Sequence, residues 1–293
     1  MAGVGDDCAL LAVRDGLEMA VTTDMLVEGR HFLPGADARA LGHKSLAVNL
    51  SDLAAMGAAP RWATLALALP AADAAWLGAF SQGFFALAGR FGVDLVGGDT
   101  TRGRQLTISI TAIGEVPAGS ALLRSGARPG DDIWVSGELG GAALALVHPE
   151  IEAAAKRLHE PEPRVALGER LRGLAHAAID VSDGLAGDLG HILERSQVGA
   201  VVHYEQVPRP PAFKDIKDMQ LEKDCVLSGG DDYELLFTAA QSRRKDIETL
   251  GKELKLPLSR IGSIRAGAAM LEVLDSHGTP LQYRGGYDHF AAP

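Results

Sequence analysis

Short strand-like runs alternate with longer helical ones along the whole chain, and this alternation most limits the folds open to it. Residues 19–23, 62–69, 93–96, 106–116, 133–136, 178–181 and 235–239 are apolar or β-branched and short, as strands are. Residues 38–56, 74–90, 140–148, 164–177, 184–195 and 242–254 carry helical patterns. Residues 9–13 and 19–23 flank Asp15-Gly16, a spacing that predicts a hairpin. The Gly-, Ala-, Pro- and Ser-rich stretch 114–130 predicts a domain boundary, giving an N-terminal domain 1–122 and a C-terminal domain 123–293. The expected class is α/β, with mixed sheets in two lobes.

Composition narrows the function classes. With 38 acidic against 28 basic residues, a net charge of −10 disfavours nucleic acid and anionic membranes as partners held by bulk attraction. The longest uncharged apolar stretches, 62–72 and 74–89, are split by Asp73 and fall short of the ~20 residues a spanning helix needs. Residues 1–7 are small and acidic, unlike a secretory leader, so the expected location is cytoplasmic. Cys8 and Cys225 are too few for a disulfide framework or a zinc site.

Within that negative total, 22 of the 38 acids are Asp, a residue that suits caps, turns and metal ligation better than helix interiors. Several are expected at strand ends beside small residues: Asp6 and Asp7 after Gly5, Asp24 after Thr22-Thr23, and Asp99 after Gly97-Gly98. Asp180 and Asp183 bracket Ser182, and Asp231 and Asp232 follow Gly229-Gly230. Strand ends are where α/β folds gather ligand sites. Ser45, Asn49 and Asp52 add a polar stripe at i, i+4, i+7 on an otherwise apolar helix, which a metal or a phosphate-bound cation would satisfy. Any one of these signals is more often a turn or a cap. Together they point to hard oxygen ligands for Mg²⁺ or Ca²⁺ and to a polyphosphate substrate. No phosphate loop of the GxxxxGK[ST] type is present, since Gly251-Lys252 is followed by Glu253.

The runs GDDCALL (5–11), TTDMLVEGRHF (22–32), NLSDLAAMGA (49–58), GGDTTRG (97–103), SDGLAGDLGHI (182–192), SGGDDYEL (228–235) and GYDHF (286–290), in that order, resemble the thiamine-monophosphate kinase family. That family belongs to the ATP-binding superfamily that also holds aminoimidazole ribonucleotide synthetase. The resemblance implies a two-domain α/β fold, a homodimer joined through N-terminal strands, and transfer of the ATP γ-phosphoryl group to thiamine phosphate. It further implies Mg²⁺ ions held by Asp7, Thr22, Thr23, Asp24, Asp52, Asp99, Asp180 and Asp183. ATP contacts fall on Gly98, Asp99, Arg124 and Ser182, and thiamine phosphate contacts on His31, Asp231 and Tyr287. Asp24, Asp52, Asp99, Asp180 and Arg124 are then the expected catalytic set. At Asp231 the family usually carries Glu, one methylene longer. Rival readings are a sibling ATP-dependent synthetase and a non-catalytic Mg·nucleotide-binding regulator.

Overall fold

The computed structural model describes residues 8–286, so Asp7 and Tyr287 of the expected site lie outside the described residues. The chain divides into two compact units. One comprises the residues through Ala121 together with His159–Val165, and the other Leu122–Leu158 with the residues from Ala166 onward. The short segment 159–165 packs in the first unit through its own polar contacts: His43 Nε2 meets the Pro161 carbonyl at 2.8 Å, and Arg90 pairs with Glu162.

The first unit runs β1 (Leu17–Val27), α1 (Ala38–Ala55), β2 (Ala59–Leu69), α2 (Ala74–Phe91), β3 (Asp94–Arg102) and β4 (Thr107–Pro117). Asp37 and Asp73 cap the two helices, accepting the amides of Ala40 and of Ala75 and Trp76. The strands form a sheet of order β1-β4-β2-β3, antiparallel except for the parallel β2/β3 pair. One face packs under Leu46, Leu50 and Leu53 of α1, with Phe80 and Phe84 of α2 buried in the same core. The other face leaves Met19, Val21 and Met25 exposed.

The second unit runs β5 (Asp132–Ser136), α3 (Gly141–Val147), α4 (Glu152–His159), α5 (Val165–Leu171), β6 (Ala177–Asp180) and α6 (Leu185–Ser196). It continues through β7 (Gly199–His203), α7 (Met219–Lys223), β8 (Leu235–Ala239), α8 (Arg244–Leu254), β9 (Leu258–Arg265) and β10 (Leu271–Leu274). Its six strands lie in the order β10-β7-β9-β5-β8-β6, again a mixed sheet. All residues of β5, β6 and β8 are buried, as expected of strands covered on both faces.

Three local expectations are corrected. Residues 9–14 form no strand: the Asp15-Gly16 turn exists, but β1 pairs along its whole length with β4, a partner distant in sequence. β3 does not stop at residue 96. Parallel pairing with β2 carries it through Gly97, Gly98 and Asp99 to Arg102, although glycines weaken the sequence signal for a strand. Asp24 likewise sits inside β1, opposite Ile110, rather than at a strand end.

Candidate active site

Each unit carries its own group of the expected residues. In the first, β1 alternation turns Thr22 and Asp24 toward α1 and turns Thr23 away. The Thr22 hydroxyl donates to Asp52 Oδ2 of α1. The Asp24 amide donates to Asn49 Oδ1 at 3.2 Å, while Asn49 Nδ2 donates to the Ser45 carbonyl at 3.0 Å and Ser45 Oγ to the Gly42 carbonyl at 3.1 Å. The polar stripe of α1 is therefore met largely by protein groups, with Asp52 accepting from Thr22. Burial, and then the charge of Asp52, push the Asp24 carboxyl up to about 7.

Thr23 lies on the opposite face, its hydroxyl 2.8 Å from that of Thr111. Asp99 is on that face too. In register, Asp24, Ile110, Leu65 and Gly98 are level across the sheet, so Asp99 shares the side of Met25, Ser109 and Ala66. Its Oδ1 accepts the Thr100 amide at 2.8 Å. Among the described residues, no three His, Cys, Asp or Glu side chains converge as a metal-holding group. Gly98 has φ +150°, and a Cβ there would stand 1.9 Å from the Leu65 carbonyl oxygen of β2.

His31 follows β1. Its Nδ1 accepts the Val27 amide at 3.0 Å, and its own amide donates to the Val27 carbonyl at 3.0 Å. A neutral imidazole whose Nδ1 accepts carries its proton on Nε2, so His31 is an N–H donor suited to a phosphate oxygen and a poor nucleophile. Nitrogen-15 NMR of the imidazole is expected to show the Nε2–H tautomer; an Nδ1–H tautomer would contradict this assignment.

In the second unit, two motifs that are far apart in sequence pack as one structure. Asp180 ends β6, and Ser182-Asp183-Gly184 leads into α6. The Gly229–Glu234 loop lies against that segment: the Asp231 amide donates to the Ser182 carbonyl at 2.9 Å and the Tyr233 amide to the Val181 carbonyl at 2.8 Å. A Cβ on Gly230 would meet the Ser182 carbonyl oxygen at 2.2 Å, which explains the glycine. Asp231 (φ 67°) and Tyr233 (φ 50°) both adopt left-handed backbone, and the Tyr233 hydroxyl donates to Asp231 Oδ1 at 3.0 Å. Such strain concentrates at ligand sites. Burial also pushes the Asp232 carboxyl up to about 8, against the pull of the Gly140 and Ala142 amides that it accepts at 2.6 and 3.4 Å.

A further residue, outside the set expected from sequence, belongs here. Asp188, buried in the first turn of α6, accepts the amides of both Ser182 and Asp183 at 3.0 Å. Burial is the main cause that raises its carboxyl to about 7; the two amides and the Arg124 charge oppose the shift. An acid in the first turn of a helix is ordinary, so only its position after Ser-Asp-Gly could have drawn notice.

Known proteins match this arrangement over almost the full chain. Residues 5–116 match the family model of the AIR synthase related protein N-terminal domain, and residues 128–271 that of its C-terminal domain. The chain is 45% identical to thiamine-monophosphate kinase of Salmonella typhimurium, across 99% of this chain and 92% of that protein. It is similar to the crystal structure of thiamine-monophosphate kinase from Stenotrophomonas maltophilia, at 49% identity and a TM-score of 0.88, covering 93% of this chain and 90% of that one. A structure described as AaThiL complexed with AMPPCP and TMP matches at 30% identity and a TM-score of 0.82, covering 98% and 92%. With both family models and the full-length similarity in agreement, the chain belongs to the thiamine-monophosphate kinase family of AIR synthase-related proteins.

Proposed function

We propose that this chain transfers the γ-phosphoryl group of ATP to thiamine phosphate, giving thiamine diphosphate and ADP. The observation that carries the reading is the Thr22–Asp24–Asp52 group, in which burial and a neighbouring carboxylate hold Asp24 near neutrality until a cation arrives. Two carboxylates and a hydroxyl are hard oxygen donors and fit Mg²⁺, which is commonly held by one or two protein carboxylates plus substrate phosphates. In the first unit Asp24 and Asp52 are the side chains that would hold such an ion; in the second, Asp180 and Asp183 are separate candidates for one. Thr23, whose hydroxyl meets that of Thr111 on the opposite face of β1, is not grouped with them. Bound there, Mg²⁺ would supply charge neutralisation between two anionic reactants.

The chain's own groups do the positioning. The Nε2–H of His31 suits the phosphate of the acceptor, and Asp231, braced by Tyr233, suits the cationic or aminopyrimidine part of thiamine. Arg124 offers a cation to the transferring phosphoryl group, with Ser182 and Gly98 as nucleotide contacts. A terminal oxygen of the acceptor phosphate forms the new bond to the γ-phosphorus as the β–γ bridging P–O bond breaks and ADP leaves. That oxygen is largely deprotonated near neutral pH, so no strong general base is required. Incubation with ATP bearing a chiral γ-phosphate, Mg²⁺ and thiamine phosphate is expected to give inverted product; retention would demand a phosphoenzyme and overturn direct transfer.

A second copy of the chain is the expected partner, seated on the outward face of β1, where Met19, Val21 and Met25 are 40%, 59% and 56% exposed. A cytoplasmic setting accords with this chemistry; among the described residues no helix is long and apolar enough to cross a membrane.

A further inference from the structure

We propose that Asp188 is a positioning residue for nucleotide binding, holding the Ser182–Asp183 backbone in the one conformation that presents it to ligand. The inference rests on the kinase reading above and adds a residue to it. Asp188 is only 2% exposed, and a single oxygen, Oδ2, accepts both the Ser182 and the Asp183 amides at 3.0 Å. Those amides precede α6 and have no partner within the helix, so without the carboxylate two main-chain donors would be left for a ligand loop to satisfy by rearranging. Two donors converging on one oxygen call for an acceptor with two lone pairs and no competing N–H, which a carboxylate provides.

The same helix also holds the Arg124 segment. Ser196, at the far end of α6, donates from Oγ to the Arg124 carbonyl at 3.1 Å and accepts the Gly126 and Ala127 amides at 3.1 Å each. The Arg124 side chain in turn lies near enough to Asp188 for its charge to act on that carboxylate. Eight residues of helix, about 12 Å, therefore separate two clamps, one on Ser182–Asp183 and one on the backbone around Arg124. All three of these residues are the ones proposed to meet nucleotide or its metal, and α6 sets their spacing.

Asp188→Ala and Asp188→Asn separate these roles. Asn keeps an oxygen for the two amides but introduces N–H donors and removes the charge that Arg124 senses. Three readings are taken: hydrogen exchange across residues 181–187, calorimetric binding of a non-hydrolysable ATP analogue with Mg²⁺, and steady-state kinetics for both substrates. Asp188→Ala is expected to expose the Ser182 and Asp183 amides to exchange and to weaken analogue binding and raise the ATP KM about 10-fold or more. The thiamine phosphate KM should rise less than the ATP KM, through the Asp231 amide that rests on the Ser182 carbonyl. Asp188→Asn should keep most of the exchange protection and raise the ATP KM by about 3-fold, which keeps the test decisive if the alanine variant does not fold. Unchanged analogue affinity and ATP KM in the folded variants, beside an active parent protein, would overturn the role of Asp188. A parent protein that neither binds the analogue nor forms thiamine diphosphate would overturn the kinase reading instead, and this inference with it.

Discussion

Asp24→Asn is expected to reduce kcat/KM by about 10³-fold or more, corresponding to about 4 kcal/mol of lost transition-state stabilisation, while making the metal-free protein more stable. The two effects have one cause. Asp24 is a partly buried acid beside Asp52, and its carboxyl is raised from 3.8 to about 7. For an acid whose value rises on folding, the contribution to stability is fully present below the unfolded value, near 4. It is lost as pH climbs through about 7, because the folded state holds a proton that the unfolded state has released. At pH 8 this withholds roughly 4 kcal/mol from the metal-free fold before solvent screening. Asn carries no such charge, so the variant's advantage should be near zero at pH 4 and largest at pH 8. There, a Tm higher by about 5 °C or more is expected. Adding Mg²⁺ and nucleotide should stabilise the parent protein far more than the variant. Near-normal turnover, or a variant less stable than the parent at pH 8, would contradict the assignment of Asp24 as a cation-holding residue. A site that is costly to keep without its ligand is the usual signature of function set against stability.

Gly98→Ala should be as damaging, for a reason of packing rather than charge. The new Cβ would sit 1.9 Å from the Leu65 carbonyl oxygen, on a backbone with φ +150° that only glycine adopts readily. β3 would have to separate from β2 at the pair Leu65↔Gly98, which also displaces Asp99. A loss of about 3 kcal/mol or more in urea unfolding is expected, together with loss of nucleotide binding. The adjacent Gly97 is the control. A Cβ there would find its nearest neighbour, Thr64 Cγ2, at 4.0 Å, so Gly97→Ala should be tolerated. Equal outcomes for the two substitutions would show that the strand contact is not what demands Gly98.

The candidate site was legible in part. Asp52 stood out because an acid on an apolar helix face is costly, and the motif order pointed to Asp24, Asp99, Asp180 and Asp183. Which of these meet was not legible. Whether Asp99 faces Asp24 depends on where β3 ends and on its register against β2; extending that strand through Gly98 puts the two carboxylates on opposite faces. The intended cation for the Ser45–Asn49–Asp52 stripe was partly replaced by protein groups for the same reason, since the β1 amide at Asp24 arrives from 25 residues away. Asp188 gives no such signal, because its two partners are main-chain amides, which leave no trace in residue identity.

By itself, then, the sequence determined the alternation of strands and helices, the α/β class and the family, and it offered a list of candidate residues for magnesium and phosphate. These follow from side-chain chemistry and local period, both of which are written residue by residue. Only the tertiary structure decided the face each aspartate takes, the docking of the Gly229–Glu234 loop on Ser182, the tautomer of His31 and the clamp at Asp188. Each depends on register and on hydrogen bonds between residues distant in the chain, where a shift of one position turns a ligand into a bystander.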